Sequence, residues 1–197
     1  MVPAPLRHTR PVEAIAIGGS AGSIAALEEI LPGLPVDFPP VLIALHLPAH
    51  HRSRLPEIFA PRCAMRVLEA DLFEPIVRGS IYFAPADYHL LVEPSRRCAL
   101  SIEPPVHFSR PAIDALFESA ADVYRSGLVG VVLTGANHDG AMGLRAIERA
   151  GGLAMVQSPE TATVDIMPHA ALAAVPRAHV VGLDTMLAAL RSVAQAS

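Results

Sequence analysis

Three residues with the chemistry of a serine hydrolase each follow an apolar run that predicts a buried strand. They are Ser20 in the turn Gly18-Gly19-Ser20-Ala21-Gly22, His46, and Asp139. A serine hydroxyl is a weak nucleophile, so acyl transfer requires an imidazole to accept its proton and a carboxylate to orient that imidazole. The pattern Gly18-x-Ser20-x-Gly22 is typical of the tight turn that presents a nucleophile between a strand and a helix. We therefore expect Ser20 to be the nucleophile of a soluble serine hydrolase.

The elements that must position these residues alternate along the chain. Alternating strands and helices predict βαβ units, which form a doubly wound α/β fold with a mainly parallel sheet and helices on both faces. In such sheets the active site lies at the carboxyl ends of the strands, where all three residues are expected. Strands are predicted at 12–18, 41–46, 128–133, 153–157 and 178–183, and helices at 24–31, 52–60, 111–124, 141–150, 166–174 and 186–193.

The middle of the chain has a different pattern. Residues 80–84, 88–93 and 98–103 are short β-prone segments separated by turns rich in proline, aspartate and serine. We expect a small meander or hairpin inserted among the α/β units. With 197 residues, the chain predicts an N-terminal tail at 1–11 and a single catalytic domain at 12–195.

Composition excludes several other functions. Hydrophobic residues make up 52% of the chain and charged residues 17%, so the chain can bury a full core. The net charge is −4 and no basic cluster occurs, so nucleic acid is not an expected partner. No segment has the length and apolar character of a membrane span or signal peptide, which predicts a cytoplasmic protein without direct membrane insertion. Cys63 and Cys98 are isolated in sequence, and we expect both to be free thiols.

Other interpretations of the same residues remain open at this point. The turn from Gly18 to Ser23 could cradle a phosphate, although it matches neither G-x-G-x-x-G nor a Walker loop. His46, His50 and His51 lie close in sequence, but Pro48 interrupts the helix that a metal site of this spacing requires, so no metal is expected. Asp139 could serve only as a turn or helix-capping residue.

Five segments, in this order, resemble the CheB family of chemotaxis protein-glutamate methylesterase catalytic domains. Together they span about residues 12–190. The segments are Ile17-Gly18-Gly19-Ser20-Ala21-Gly22, Leu45-His46-Leu47-Pro48, Ile81-Tyr82-Phe83-Ala84-Pro85-Ala86-Asp87-Tyr88-His89, Ser109-Arg110-Pro111-Ala112-Ile113-Asp114-Ala115-Leu116-Phe117, and Val131-Val132-Leu133-Thr134-Gly135 through Asp139-Gly140-Ala141.

The resemblance implies a reaction and roles for particular residues. Ser20 would be the nucleophile, His46 the general base and acid, and Asp139 the orienting carboxylate. The substrates would be glutamate γ-methyl esters on the cytoplasmic helices of methylated chemoreceptors, with glutamine deamidation as a second activity and no cofactor. Backbone N–H groups at Ala21 and Ala136 are the expected oxyanion donors. Arg110 is expected to bind substrate or to hold the site together.

This sequence departs from the family pattern beside the nucleophile and before the aspartate. Ala21 and Ser23 replace the more usual threonine and glycine, and Ala136-Asn137-His138 replaces Met-Gly-Asn. The first strand is predicted near Val12, so the phosphorylation-gated receiver domain that typically precedes this domain is not expected. The chain would be a stand-alone member, or one from which the regulator has been removed. A non-catalytic signalling or binding module on the same fold is the alternative function.

Overall fold

A seven-stranded parallel sheet forms the centre of the protein. The computed structural model describes residues 10–46 and 53–195. Along the sheet the strands lie in the order β3-β4-β2-β1-β7-β8-β9, and every neighbouring pair is parallel. These strands are β1 (Ala14–Gly19), β2 (Val41–Leu45), β3 (Arg66–Glu69), β4 (Ser80–Phe83), β7 (Leu128–Val132), β8 (Leu153–Gln157) and β9 (His179–Val181).

Helices cover both faces of this sheet. One face packs on α1 (Ser23–Ile30), α2 (Leu55–Phe59) and α6 (Leu183–Gln195), and the other on α3 (Ile113–Tyr124), α4 (Ala141–Arg149) and α5 (Ile166–Ala174). Strand β1 shows why its sequence is apolar throughout: Ala14 and Ala16 belong to the core under α3, whereas Ile15 and Ile17 belong to the core under α1. A strand buried on both faces has no polar alternation. The predicted doubly wound α/β fold is confirmed.

Strand β1 also marks the point where the chain changes direction across the sheet. The chain runs from β1 to β2 and on to the edge strand β3, comes back to place β4 between β3 and β2, and later places β7 on the other side of β1. In open parallel sheets a crevice forms outside the carboxyl ends of strands at such a switch point. The turns after β1, β2 and β7 therefore meet in one place, and they carry Ser20, His46 and Asp139.

The inserted β segment is smaller than predicted. Strands β5 (His89–Val92) and β6 (Cys98–Ser101) form an antiparallel hairpin that packs on α3. Residues 80–83, predicted as part of this meander, instead form β4 of the main sheet, paired with β2 and β3. Strand β3 was not predicted at all, because its side chains are half-buried or exposed and give no apolar run.

Helix α2 differs from its prediction in length. The helix predicted at 52–60 is shorter, and Pro56 lies in its first turn, where proline needs no backbone donor. Residues 1–9 of the tail predicted at 1–11, and residues 47–52 with His50 and His51, lie outside the described residues. Within the described ranges, no helix has the length and apolar character needed to cross a membrane.

Candidate active site

Ser20 lies in a turn that is tied to the turn after β7. The Ser20 backbone N–H donates to the Thr134 carbonyl at 2.9 Å, and the Thr134 hydroxyl donates to the Ala21 carbonyl, also at 2.9 Å. Gly22 then enters α1 with φ of 84°, a left-handed conformation that glycine adopts without strain. These bonds do not involve the Ser20 side chain, and Ser20 is partly exposed.

Ser23, one of the departures from the family pattern, has a structural partner in this chain. Its side chain is fully buried, and its hydroxyl donates to the Thr134 carbonyl at 2.8 Å. The same carbonyl accepts the Ser20 N–H. The additional hydroxyl therefore reinforces the connection between the two turns.

Asp139 is fully buried, and hydrogen-bond donors face both of its carboxylate oxygens. Oδ2 accepts from His46 Nε2 and from the Ile113 N–H, each at 2.7 Å. Oδ1 accepts the N–H groups of Asp114 and Gly140, each at 2.9 Å. Two of these donors belong to the first turn of α3, where the unpaired N–H groups and the helix dipole favour a negative charge.

The pKa of Asp139 reflects two opposed effects. Burial is the largest single influence and raises the pKa, but the hydrogen bond from His46 and those from the Asp114 and Ile113 N–H groups together outweigh it. The net pKa is lowered from the ordinary aspartate value. Asp139 is therefore a carboxylate at neutral pH, and its charge orients and supports the His46 ring.

His46 has a partner on each ring nitrogen. Its side chain is 11% exposed, and Nε2 donates to Asp139, so Nδ1 carries the lone pair of the neutral ring. Asn137 Nδ2 lies 3.4 Å from Nδ1. Ser20 and His46 are both among the described residues, and no hydrogen bond is formed between the Ser20 hydroxyl and the His46 ring. The structure therefore joins two of the three predicted catalytic residues directly and brings the third to the same edge of the sheet.

The two predicted oxyanion donors lie on the turns that meet at this edge. Ala21 follows Ser20, Ala136 follows Gly135, and both residues are exposed. A Cβ on Gly135 would lie 3.0 Å from the Ser20 Cβ, so the second turn passes directly beside the nucleophile turn. Their positions leave both as candidates to bind an oxyanion.

Arg110 makes contacts within the protein. Its Nη1 donates to the carbonyls of Ile102 at 2.8 Å and Glu103 at 3.1 Å, in the segment that leaves β6. Its buried Nε has no hydrogen-bond partner among the residues that the structure describes. Of the two roles expected for Arg110, these contacts favour holding the site together, because they fasten the hairpin to the segment that starts α3.

His89 connects the same two elements, a role that the sequence did not reveal. It is buried, its Nδ1 accepts the Ala112 N–H at 3.1 Å, and its Nε2 lies 3.2 Å from the Pro104 carbonyl. The acceptor at Nδ1 fixes the proton on Nε2, which donates to Pro104. His89 thus helps to fix the first turn of α3, whose N–H groups hold Asp139.

Asp114 is a second buried carboxyl beside the site, and sequence reasoning gave it no role. Burial raises its pKa, the Gly143 N–H bond lowers it, and the charge of Asp139 raises it again, with a net value of about 6. The bond from the Gly143 N–H is 2.7 Å long, and His107 Nε2 lies 3.7 Å away. In the sequence, Asp114 lies three residues after Pro111, within one of the five segments that resemble the family.

The part of the chain that the structure describes contains no group of three or more histidine, cysteine, aspartate or glutamate side chains placed to hold a metal ion. Cys63 and Cys98 are both unpaired thiols. Burial raises the pKa of Cys98 to about 12, so this thiol is protonated and is not a nucleophile at neutral pH.

A parallel α/β sheet that brings a serine turn, a histidine and a buried aspartate to its carboxyl edge presents the side-chain types that serine hydrolases use. Residues 15–190 match the family model described as CheB methylesterase. The chain belongs to the CheB methylesterase family.

Relatives in sequence and in structure agree with this family. A Leptospira interrogans protein, provisionally named protein-glutamate methylesterase/protein-glutamine glutaminase, is 46% identical over 173 residues, which cover 87% of this chain and 90% of that protein. The Symbiobacterium thermophilum protein of the same name is 40% identical over 80% of this chain, but the match spans only 44% of its own length. The crystal structure of the Thermotoga maritima CheB methylesterase catalytic domain is 27% identical, with a TM-score of 0.86, over 92% of this chain and 98% of that one.

Proposed function

We propose that this chain is a protein-glutamate methylesterase that hydrolyses glutamate γ-methyl esters on the cytoplasmic helices of chemoreceptors. The observation that carries the proposal is the 2.7 Å bond between His46 Nε2 and the buried carboxylate of Asp139, beside the turn that presents Ser20. That pair is the base and its orienting charge in serine-dependent acyl transfer. The relatives are named protein-glutamate methylesterases, and from these names we infer that the substrate is a glutamate methyl ester.

The chemistry proceeds through a glutamyl-serine ester. His46 Nδ1 takes the Ser20 hydroxyl proton while the serine oxygen attacks the ester carbonyl carbon. The tetrahedral oxyanion is held by the N–H groups at Ala21 and Ala136, and its collapse breaks the bond to the methoxy oxygen. His46 returns the proton to that oxygen, so methanol leaves. Water then repeats the cycle on the glutamyl-enzyme and restores Ser20.

Deamidation of glutamine is proposed as a second activity at the same site. The side-chain amide presents the same carbonyl to Ser20, and the leaving group is ammonia in place of methanol. His46 would protonate the departing nitrogen. Neither reaction requires a cofactor.

The surface around the crevice supports a helical protein substrate. Ile24, Met142 and Ile166 are 42%, 51% and 43% exposed, and they lie in the first turns of α1, α4 and α5. Each helix begins at the carboxyl edge of the sheet, so the three side chains border the site. An apolar rim of this kind fits the apolar face of an amphipathic helix.

We propose a cytoplasmic location because the substrate residues lie on that side of the membrane.

A non-catalytic signalling module on the same fold is the second candidate. It is favoured by one observation, namely that the Ser20 hydroxyl is not hydrogen-bonded to His46. Catalytic hydrogen bonds are often formed only when substrate is present, so this geometry is compatible with an enzyme as well.

The test is methanol release from methylated receptor helices by the wild type, Ser20→Ala and Ser95→Ala. Ser95 is an exposed serine of the hairpin turn and serves as the matched control. We expect activity in the wild type and in Ser95→Ala, and a loss of roughly 10⁴-fold or more in Ser20→Ala. The fold should be intact, because the Ser20 backbone bonds do not use its side chain. An active Ser20→Ala protein, or an inactive wild type, would contradict the proposal.

A further inference from the structure

The Asn137 side chain contacts the ring nitrogen of His46 that must accept the Ser20 proton. Its Nδ2 lies 3.4 Å from His46 Nδ1, on the side of the ring away from Asp139. Asn137 stands where the family pattern has glycine, so the contact comes from a side chain that the pattern lacks. The proposed mechanism uses this same nitrogen.

The orientation of the Asn137 amide follows from its other partner. The Asp139 backbone N–H donates to Asn137 Oδ1 at 3.1 Å. An N–H group can be met only by the amide oxygen, so the NH₂ group points toward His46. Since His46 Nε2 carries a proton for Asp139, the lone pair on Nδ1 is available to accept from Asn137.

We propose that Asn137 caps the catalytic base in the resting protein and must turn away before His46 can accept the Ser20 proton. This inference rests on the proposed function. The cap fixes His46 in the tautomer that the mechanism needs, with the proton on Nε2. It also competes with the Ser20 hydroxyl for the only lone pair of the ring, which accounts for the absence of a bond between Ser20 and His46. Asn137 is thus a positioning residue that acts through His46.

The contact between Asn137 and His46 persists when substrate binds and is broken in the transition state. It therefore stabilises the ground state alone. Removing it should raise kcat and leave KM unchanged, because binding of the ester does not depend on it. The 3.4 Å distance is that of a weak neutral bond, which corresponds to an increase in kcat of about two- to tenfold.

The variant that separates the cap from the turn is Asn137→Ser. Serine keeps an oxygen that can accept the Asp139 N–H two residues later, but its side chain is too short to reach His46. Asn137→Ala removes both the contact with His46 and the bond from the Asp139 N–H. Comparison of Asn137→Ser with Asn137→Ala therefore gives the effect of the turn alone. His138→Ala is the matched control, because His138 is the exposed neighbour in the same loop and lies outside the proposed contact.

The experiment measures kcat and KM for ester hydrolysis together with the ¹⁵N spectrum of histidine-labelled protein. The His46 resonances are assigned by their loss in His46→Gln. In Asn137→Ser we expect kcat to rise about two- to tenfold at unchanged KM, and the unprotonated Nδ1 resonance of His46 to shift. Neither quantity should change in His138→Ala.

The outcomes distinguish this inference from the proposed function. If the wild type hydrolyses esters but Asn137→Ser leaves kcat unchanged or lower, the cap is overturned. It is equally overturned if the Nδ1 resonance is the same in the two proteins. If the wild type has no esterase activity, the proposed function fails, and the Nδ1 resonance alone then decides whether Asn137 caps His46.

Discussion

At the scale of single residues, Asp139 combines complete burial with a negative charge. Such a charge is costly to bury, and here four donors face its two oxygens: His46 Nε2 and the N–H groups of Ile113, Asp114 and Gly140. The bonds to the protein backbone make the carboxylate part of the structure as well as part of the site. Its loss should therefore affect both activity and stability.

Asp139→Asn should lower kcat by roughly 10⁴-fold, because an amide neither supports the imidazolium charge nor holds the required tautomer. The pKa of Asp139 is lower in the folded protein than its ordinary value. Its stabilising contribution is therefore present above pH of about 4, the pKa of an unfolded aspartate, and is lost as pH falls through the folded value.

Thermal unfolding of the wild type and of Asp139→Asn from pH 3 to pH 8 tests this direction of the pH dependence of stability. The melting temperature of the wild type should exceed that of Asp139→Asn at neutral pH, and the difference should shrink in acid. A difference that is constant over this range would show that the charge of Asp139 is not what stabilises the fold.

At the scale of elements, helix α3 holds the site together. Its first-turn N–H groups bind Asp139, and its Asp114 side chain accepts the Gly143 N–H of α4. His89 and Arg110 fasten the segment that precedes this helix to the region of the hairpin. The β5-β6 hairpin is therefore a support for α3 rather than an isolated insertion.

Asp114→Asn tests the joint between α3 and α4. The pKa of Asp114 is raised to about 6 by burial, so the folded protein keeps a proton that the unfolded chain releases above pH of about 4. Wild-type stability should then decrease as pH rises from about 4 to about 6. Asparagine retains an oxygen for Gly143 and carries no charge, so the variant should be more stable by about 1–3 kcal/mol at pH 8 and similar at pH 4.

The measurement is denaturant unfolding at both pH values, with Asp122→Asn as the control. Asp122 is an exposed carboxyl of the same helix. Equal stability of the wild type and Asp114→Asn at pH 8 would show that the charged Asp114 is not a cost to the folded state.

The sequence predicted the elements whose pattern is local. The strands β1, β2 and β7 are apolar because they are buried on both faces, and the residues that follow them were placed correctly at one sheet edge. Strand β3 and the membership of β4 in the main sheet depend on pairing between distant residues, which a window of sequence does not contain.

The same limit applies within the site. Ser20, His46 and Asp139 were predicted as site residues from residue type and position, whereas the contacts of Ser23, Asn137 and His89 depend on how separate turns meet. Their partners are distant in sequence and no short motif records them. The departures Ser23 and Asn137 were visible as unusual residues, but the sequence did not give their partners.

At the scale of the whole molecule, exposed apolar side chains lie in the first turns of helices that begin at the carboxyl edge of the sheet. Met142→Gln and Ile24→Asn should each raise KM for methylated receptor helices by about three- to tenfold, because burial of an exposed apolar side chain contributes on the order of 1 kcal/mol. Hydrolysis of a small soluble ester should be unchanged, since it does not reach the rim.

Val36→Asn is the control for these variants. Val36 is 65% exposed and precedes β2, so it lies toward the amino edge of the sheet, away from the crevice. A parallel rise in KM for the receptor and for the small ester would contradict the assignment of the apolar rim to protein substrates.

The proposed function requires Ser20 to be a nucleophile activated by His46. A fluorophosphonate probe forms a stable bond to such a serine, and peptide mass spectrometry locates the adduct. We predict an adduct on Ser20 in the wild type, none in Ser20→Ala, and a strongly reduced amount in His46→Gln. A wild-type protein that releases methanol while Ser20 stays unlabelled, or that labels equally well without His46, would contradict it.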